Sequence, residues 1–190
     1  MKDNQITFPK HILLLFFLLL TGCQIFVSKD EPEIIQEPWE KLSIEKKIAQ
    51  MIMFRLKGDL TNDSSFEYKK FHRWINEIGI GGAVVYGGDL KETFERIQIA
   101  QSWSDIPLFI AADYERGLGQ WYDGATLFPT NMAVAATGRN ILAYEQGKIT
   151  AIEAKAFGVN MIFAPVMDVN NNPDNPIINF RSYGDDPRLV

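Results

Sequence analysis

Three stretches of this chain set charged side chains directly behind apolar runs, and each offers a particular chemistry. The first reads Ala112-Asp113-Tyr114-Glu115-Arg116-Gly117-Leu118-Gly119. A carboxylate such as Asp113 at a strand end can accept hydrogen bonds from two adjacent hydroxyls, as on a sugar ring, and the glycines behind it let backbone approach closely. The same residues also suit a turn with a capping aspartate. The second stretch reads Phe163-Ala164-Pro165-Val166-Met167-Asp168-Val169-Asn170. There Asp168 can position a basic neighbour, line a pocket floor, or hold the Asn-rich loop in an Asx-turn. The third reads Asn179-Phe180-Arg181-Ser182-Tyr183-Gly184-Asp185-Asp186-Pro187. The planar fork of Arg181 can clamp an oxygen-rich ligand, or it can pair with Asp168 or Asp113. Asp185 and Asp186 read as capping and dipole groups. Tyr114, Trp121, Tyr122 and Phe128 crowd the first loop. Such rings stack on apolar sugar faces or pack a loop against its scaffold, and the sequence leaves both open.

Other chemistries are removed by counting. The histidines are His11 and His72, and Cys23 is the lone cysteine. One cysteine rules out an internal disulfide framework and any multi-cysteine zinc site. His72 falls in an amphipathic stretch and Cys23 far from it, which leaves little for a Ser-His-Asp or Cys-His mechanism. No HExxH and no phosphate-binding P-loop occurs. A formal charge of −5 over 190 residues argues against nucleic acid as a partner. An apolar fraction of 46% supports a true core.

The elements that must position these residues alternate in type. Ser43 caps a helix whose Ile44, Ile48 and Met51 share one face, and Met51 to Leu56 reads as a strand. Phe71, Trp74, Ile75 and Ile78 form a helical stripe that stops at Gly79. Ile80 to Tyr86 is a strand, Leu90 to about Trp103 a helix with Phe94, Ile97 and Ala100 inward, and Pro107 to Ala112 a strand that delivers Asp113. Asn140 caps a helix ending at Gly158, and Val159 to Pro165 is a fourth strand. Gly81-Gly82 and Gly87-Gly88 read as packing and turn glycines. Continuous apolar strands between amphipathic helices predict a parallel α/β sheet, either doubly wound or a TIM barrel. Asp186 and Pro187 look like the start of a further helix. Four strands are not a closed barrel, so the chain reads as the N-terminal part of a longer protein. Expressed alone, such a part would expose a strand edge and aggregate.

The first residues read as an address. Lys2 and Lys10 precede the apolar run Ile12 to Leu20, which is far short of the roughly 20 residues a membrane span needs. Leu20-Thr21-Gly22-Cys23 resembles a bacterial lipobox, so residues 1–22 are expected to be a signal peptide and Cys23 the lipidated residue. Residues 23–38, with Pro32 and Pro38 among acidic residues, read as a tether, and residues 39–190 as the folded domain. Gln24 behind the cysteine implies the cell envelope, at the outer membrane, with the membrane as a partner through the lipid.

Leu42-Ser43-Ile44-Glu45-Lys46-Lys47-Ile48-Ala49-Gln50-Met51, Ile78-Gly79-Ile80-Gly81-Gly82 and the three site stretches occur in an order and spacing similar to the N-terminal barrel domain of glycoside hydrolase family 3. Asp113-Tyr114-Glu115-Arg116-Gly117 matches its Asp-x-Glu-Gly-Gly-like loop, with Arg116 where glycine is common. Asn175 to Gly184 resembles the β-N-acetylhexosaminidase branch. The resemblance implies the N-terminal half of a (β/α)8 TIM barrel, incomplete in this chain, and a retaining mechanism through a covalent glycosyl-enzyme. It further implies a terminal β-N-acetylglucosamine from peptidoglycan- or chitin-type oligosaccharides as substrate, and no metal or organic cofactor. It places Asp113 and Arg181 on the hydroxyls of the terminal sugar and Asp168 in a pocket-supporting position. The Lys-His acid/base loop and the aspartate nucleophile of the family lie beyond residue 190, so these residues alone are expected to show no turnover. A β-glucosidase of the same family is the alternative, and a non-catalytic sugar-binding envelope lipoprotein is the competing class.

Overall fold

A computed structural model describes residues 38–190. Cys23, the leader and the tether up to Glu37 lie outside the described residues. After a single 3-10 turn at Pro38–Lys41 come helix α1 (Ile44–Gln50), strand β1 (Met53–Arg55) and helix α2 (Phe66–His72). Helix α2 runs on into wider turns over Arg73–Ile78. Strand β2 (Gly82–Val84), helix α3 (Leu90–Ser102), strand β3 (Phe109–Ala112), helices α4 (Asn131–Ala135) and α5 (Asn140–Phe157) and strand β4 (Met161–Ile162) follow.

All strand pairs are parallel, and the order is β1-β2-β3-β4. That order decides between the two architectures left open by the alternation. A doubly wound sheet reverses its strand order at a switch point, whereas a barrel adds each strand beside the last. The described chain adds them sequentially and is the partial TIM-barrel fold.

Local signals set the element ends. Ser43 Oγ accepts the Lys46 N–H (3.3 Å), and Asp89 Oδ1 accepts the Glu92 N–H (2.9 Å), closing the first turns of α1 and α3. The N-cap of α5 is Arg139 rather than Asn140, and it makes no side-chain cap bond. Thr137 Oγ1 accepts the Arg139 N–H (3.2 Å), and the Leu142 N–H donates to the Arg139 carbonyl (3.0 Å), so backbone rather than an Asn140 side chain closes the first turn. Gly79 ends the second helical stretch with φ +80°.

The helix side of the sheet carries the core. Leu56, Phe71, Ile75, Val85, Ile97, Leu108 and Ile110 are buried in one cluster. Each contributes about 1.5–3 kcal/mol relative to leaving it in water. Phe94 is only partly covered and lies beside Phe157, with ring centroids 6.3 Å apart. The apolar stripe of α1 does not join this core: Ile44, Ile48 and Met51 are exposed, and Ala49 is the buried residue of that helix. The helix is held by its backbone, since Ala49 O accepts the Gly81 N–H at 3.1 Å. A Cβ on Gly81 would fall on the Gln50 carbonyl, so the glycine serves close backbone packing.

Side chains alternate across the strands. Phe54, Ala83, Ile110 and Ala112 belong to the helix-side core or pack against it. Arg55, Val84 and Phe109 therefore point to the opposite, inner face. Continuing the alternation past the strand ends, Leu56, Val85 and Tyr114 are in the core, and Arg55, Tyr86 and Asp113 lie on the inner side.

Candidate sugar-binding site at the strand ends

The site is built on the C-terminal ends of adjacent strands, the position where barrels place their functional loops. Asp113 leaves β3 on the inner side, between buried Ala112 and buried Tyr114. Its carboxylate accepts no hydrogen bond from the described side chains or backbone. Partial burial raises its pKa above the ordinary aspartate value. The Glu115 charge adds to the rise and the Arg181 charge opposes it.

Arg181 pairs with Glu115, and not with Asp168 or Asp113. Its Nε donates to Glu115 Oε2 (3.0 Å) and its Nη2 to Oε1 (2.6 Å), a two-point ion pair between residues 66 apart in sequence. The Glu115 side chain is only 11% exposed. The hydrogen bonds to Glu115 raise the Arg181 pKa, so the fork is a fixed positive charge. Both partners are held from behind by buried amides. Gln146 on α5 donates from Nε2 to the Glu115 carbonyl (3.0 Å), and Asn131 on α4 donates from Nδ2 to the Arg181 carbonyl (2.7 Å). The spacing of the motifs gave no sign of Glu115 as the partner. The available signal was its charge, two residues beyond Asp113 on the same alternating face.

Asp168 sits in the loop after β4 with its carboxylate exposed. Its backbone carbonyl accepts the Ser182 hydroxyl, which ties the second and third stretches together. The Asp168 charge still contributes to the raised Arg181 pKa, without contact between the two side chains. Asp186 caps the last turn, with Oδ1 accepting the Arg188 N–H at 2.9 Å.

The loop after β3 is stitched to itself. Arg116 Nε donates to the Phe128 carbonyl (3.1 Å), and the Phe128 N–H donates to the Arg116 carbonyl (2.9 Å). The arginine that stands where glycine is common thus closes the base of the loop. Gly117 takes φ +82°, and a Cβ there would lie 2.5 Å from the Thr126 carbonyl oxygen. Thr126 in turn donates from Oγ1 to Glu153 on α5 (2.5 Å). The aromatic residues of this loop divide by burial. Tyr114 and Tyr122 are 2% and 1% exposed and pack the loop onto the core, whereas Trp121 is 37% exposed. His72 is half-buried at the end of α2 and lies on Tyr68 and Trp103, with ring centroids 5.7 and 5.1 Å away.

Chemically the arrangement offers one unpartnered carboxylate beside a rigid, charged clamp. That suits neighbouring hydroxyls of a neutral ligand, with Asp113 accepting and the guanidinium edge donating. Among the described residues no group of His, Cys, Asp and Glu converges on a metal position.

Residues 43–190 match the glycosyl hydrolase family 3 N-terminal domain. Beta-hexosaminidase A of Pseudoalteromonas piscicida is 36% identical over 129 residues, 61% of this chain and 22% of that protein. A beta-N-acetylglucosaminidase/beta-glucosidase of Cellulomonas fimi is 34% identical over 171 residues, 90% of this chain and 29% of that protein. Among solved structures, the beta-glucoside phosphorylase BglX bound to 2FGlc superposes with a TM-score of 0.68 at 31% identity, covering 80% of this chain and 26% of that one. The match therefore spans less than a third of each of these relatives. With a sequential parallel half-sheet, a strand-end carboxylate and this match over most of its length, the chain belongs to glycosyl hydrolase family 3, in its N-terminal domain.

Proposed function

We propose that this chain is the sugar-holding part of a retaining exo-glycosidase that releases terminal β-linked N-acetylglucosamine from peptidoglycan- or chitin-type oligosaccharides. The observation that carries the reading is the unpartnered Asp113 carboxylate set beside the Glu115–Arg181 clamp on neighbouring strand ends. Asp113 accepts from two adjacent hydroxyls of the terminal ring, and Arg181, held rigid by Glu115, donates to a third oxygen. Asp168 supports the pocket from the following loop. Catalysis itself needs a nucleophile and an acid/base, which in a retaining enzyme are two groups flanking the scissile bond. The family resemblance puts the acid/base loop and the aspartate nucleophile beyond residue 190, and we assign both catalytic roles there. The relatives named for hexosaminidase and β-N-acetylglucosaminidase support the substrate class.

A β-glucosidase is the second reading, favoured by the double name of the Cellulomonas fimi relative. The test is turnover of aryl β-N-acetylglucosaminide against aryl β-glucoside by the full-length gene product, with the anomer of the first product read by NMR. Preferred release of β-N-acetylglucosamine with retention supports the proposal. Preference for glucoside selects the second reading, and no turnover of either selects a non-catalytic sugar-binding protein. We further propose that Cys23 carries a lipid and holds the protein at the cell envelope.

A further inference from the structure

Trp121 is the aromatic residue of the β3 loop that packing does not explain. Its indole N–H donates to the backbone carbonyl of Asp113 (2.8 Å), which fixes the ring next to the residue that receives the sugar. The ring reaches across to the loop after β2. A Cβ on Gly87 would lie 3.3 Å from the indole Cε3, so this glycine admits the close approach. Tyr86 meets the indole edge to face, with centroids 5.8 Å apart, and Arg55 at the end of β1 lies over the Tyr86 ring at 5.2 Å. The three side chains form a row across the ends of β1, β2 and β3, continuous with Asp113, while Arg181 stands on the loop after β4. A tryptophan has more apolar surface to bury than any other side chain, and here the N–H is satisfied while 37% of the residue stays in water. A fixed, uncovered aromatic wall adjoining a sugar-binding carboxylate is suited to the apolar face of a second pyranose.

We propose that Trp121, backed by Tyr86, is the stacking wall of a second-ring subsite that takes the sugar joined to the ring held by Asp113 and Arg181. The inference rests on the sugar-binding reading above and adds to it a requirement for a disaccharide or longer ligand. Trp121 is thus a specificity residue, distinct from the hydroxyl-binding pair.

The experiment uses the full-length gene product and its Trp121→Ala, Trp121→Leu and Trp121→Phe forms. KM is measured for N,N′-diacetylchitobiose and for methyl β-N-acetylglucosaminide, with cellobiose and methyl β-glucoside in parallel. Trp121→Ala and Trp121→Leu are expected to raise KM for the two-ring ligand about tenfold, the equivalent of about 1.4 kcal/mol. KM for the one-ring ligand stays within about twofold, and Trp121→Phe keeps most of the two-ring preference. A loss of the same size for both ligand lengths would show that Trp121 acts only by supporting Asp113, and would overturn the proposal. An unchanged two-ring KM would overturn it as well. If the unsubstituted protein turns over none of the four, the activity reading fails and calorimetric titration of the same sugars decides the subsite. A two-ring gain in affinity that Trp121→Ala abolishes supports the wall; no such gain in the unsubstituted protein sinks it.

Discussion

Arg181, on the loop after β4, is locked to Glu115, on the loop after β3, by two charge-assisted hydrogen bonds of 2.6 and 3.0 Å. This pair ties the two strand-end loops to each other and leaves the Asp113 carboxylate without a hydrogen-bond partner among the described residues. Each charge-assisted bond is worth roughly 1.5–3 kcal/mol. Lysine cannot reproduce the fork, because it presents a point charge on a flexible stem. Arg181→Lys and Glu115→Gln in the full-length protein are therefore each expected to lower kcat/KM by about ten- to a hundredfold, the range equivalent to one such bond. Steady-state kinetics on the aryl glycoside checks this. Loss of less than twofold in both would mean that the clamp only ties loops together.

Asp113 gives a pH signature of opposite sign to that of a salt-bridged carboxylate. Burial and the Glu115 charge raise its pKa, and the Arg181 charge does not fully offset them. The folded state therefore holds the proton more tightly than the unfolded state. Stability from this group is present at low pH and is lost as pH rises from the unfolded value through the raised folded one. Asp113→Asn removes that penalty. The variant should melt above the unsubstituted protein at pH 7, and the advantage should shrink as pH falls towards the ordinary aspartate range. Calorimetric melting across that range measures it. A variant less stable at neutral pH would mean that Arg181 attraction outweighs burial. The expected loss of sugar binding in the same variant marks a site held at a cost to stability.

The sequence pattern revealed the alternation because buried parallel strands must be apolar throughout and helices between them must be amphipathic. Asp113 at the end of β3, the Gly79 stop and the buried Phe71 and Ile75 were all legible from such local rules. Three features were not. The Ile44–Ile48–Met51 stripe has helical spacing but is exposed among the described residues, because periodicity reports a face and not what covers it. The Arg181–Glu115 pair is a contact across 66 residues, set by strand register that no local pattern encodes. The division of the aromatic loop into packed Tyr114 and Tyr122 and open Trp121 depends on which way a stitched loop turns.

Cys23 supplies a prediction that needs no structure. Cys23→Ser removes the thiol that would take the lipid, and with it the roughly 0.8 kcal/mol per buried CH₂ that anchors an acyl chain. In the native host the unsubstituted protein is expected in the detergent-soluble membrane fraction, and Cys23→Ser in the aqueous fraction with its folded domain intact. Mass spectrometry of the N-terminal peptide identifies the acyl chains. An unmodified Cys23, or an unchanged partition of Cys23→Ser, would remove the anchor from the account.

Two glycines of the β3 loop separate backbone strain from close packing. Gly117 and Gly124 both take left-handed φ values, +82° and +88°. A Cβ at Gly124 meets nothing within 4 Å, so Gly124→Ala suffers only the left-handed penalty of about 1–2 kcal/mol. A Cβ at Gly117 sits on backbone of φ +82° and ψ 176°, a region essentially restricted to glycine, and also lies 2.5 Å from the Thr126 carbonyl oxygen and 3.0 Å from the Phe128 ring. Neither neighbour can move freely, since the Thr126 carbonyl accepts the Gly119 N–H and Phe128 is bonded at both backbone groups to Arg116. Gly117→Ala should therefore destabilise by a further amount of about 1–3 kcal/mol, the usual cost of overpacking. It should also disturb Asp113 and Glu115 on the same loop, so sugar affinity falls with stability, while Gly124→Ala lowers stability alone. Chemical denaturation and ligand titration of the two variants side by side measure both quantities. Equal destabilisation with equal affinity would show that the loop relaxes around the added methyl group.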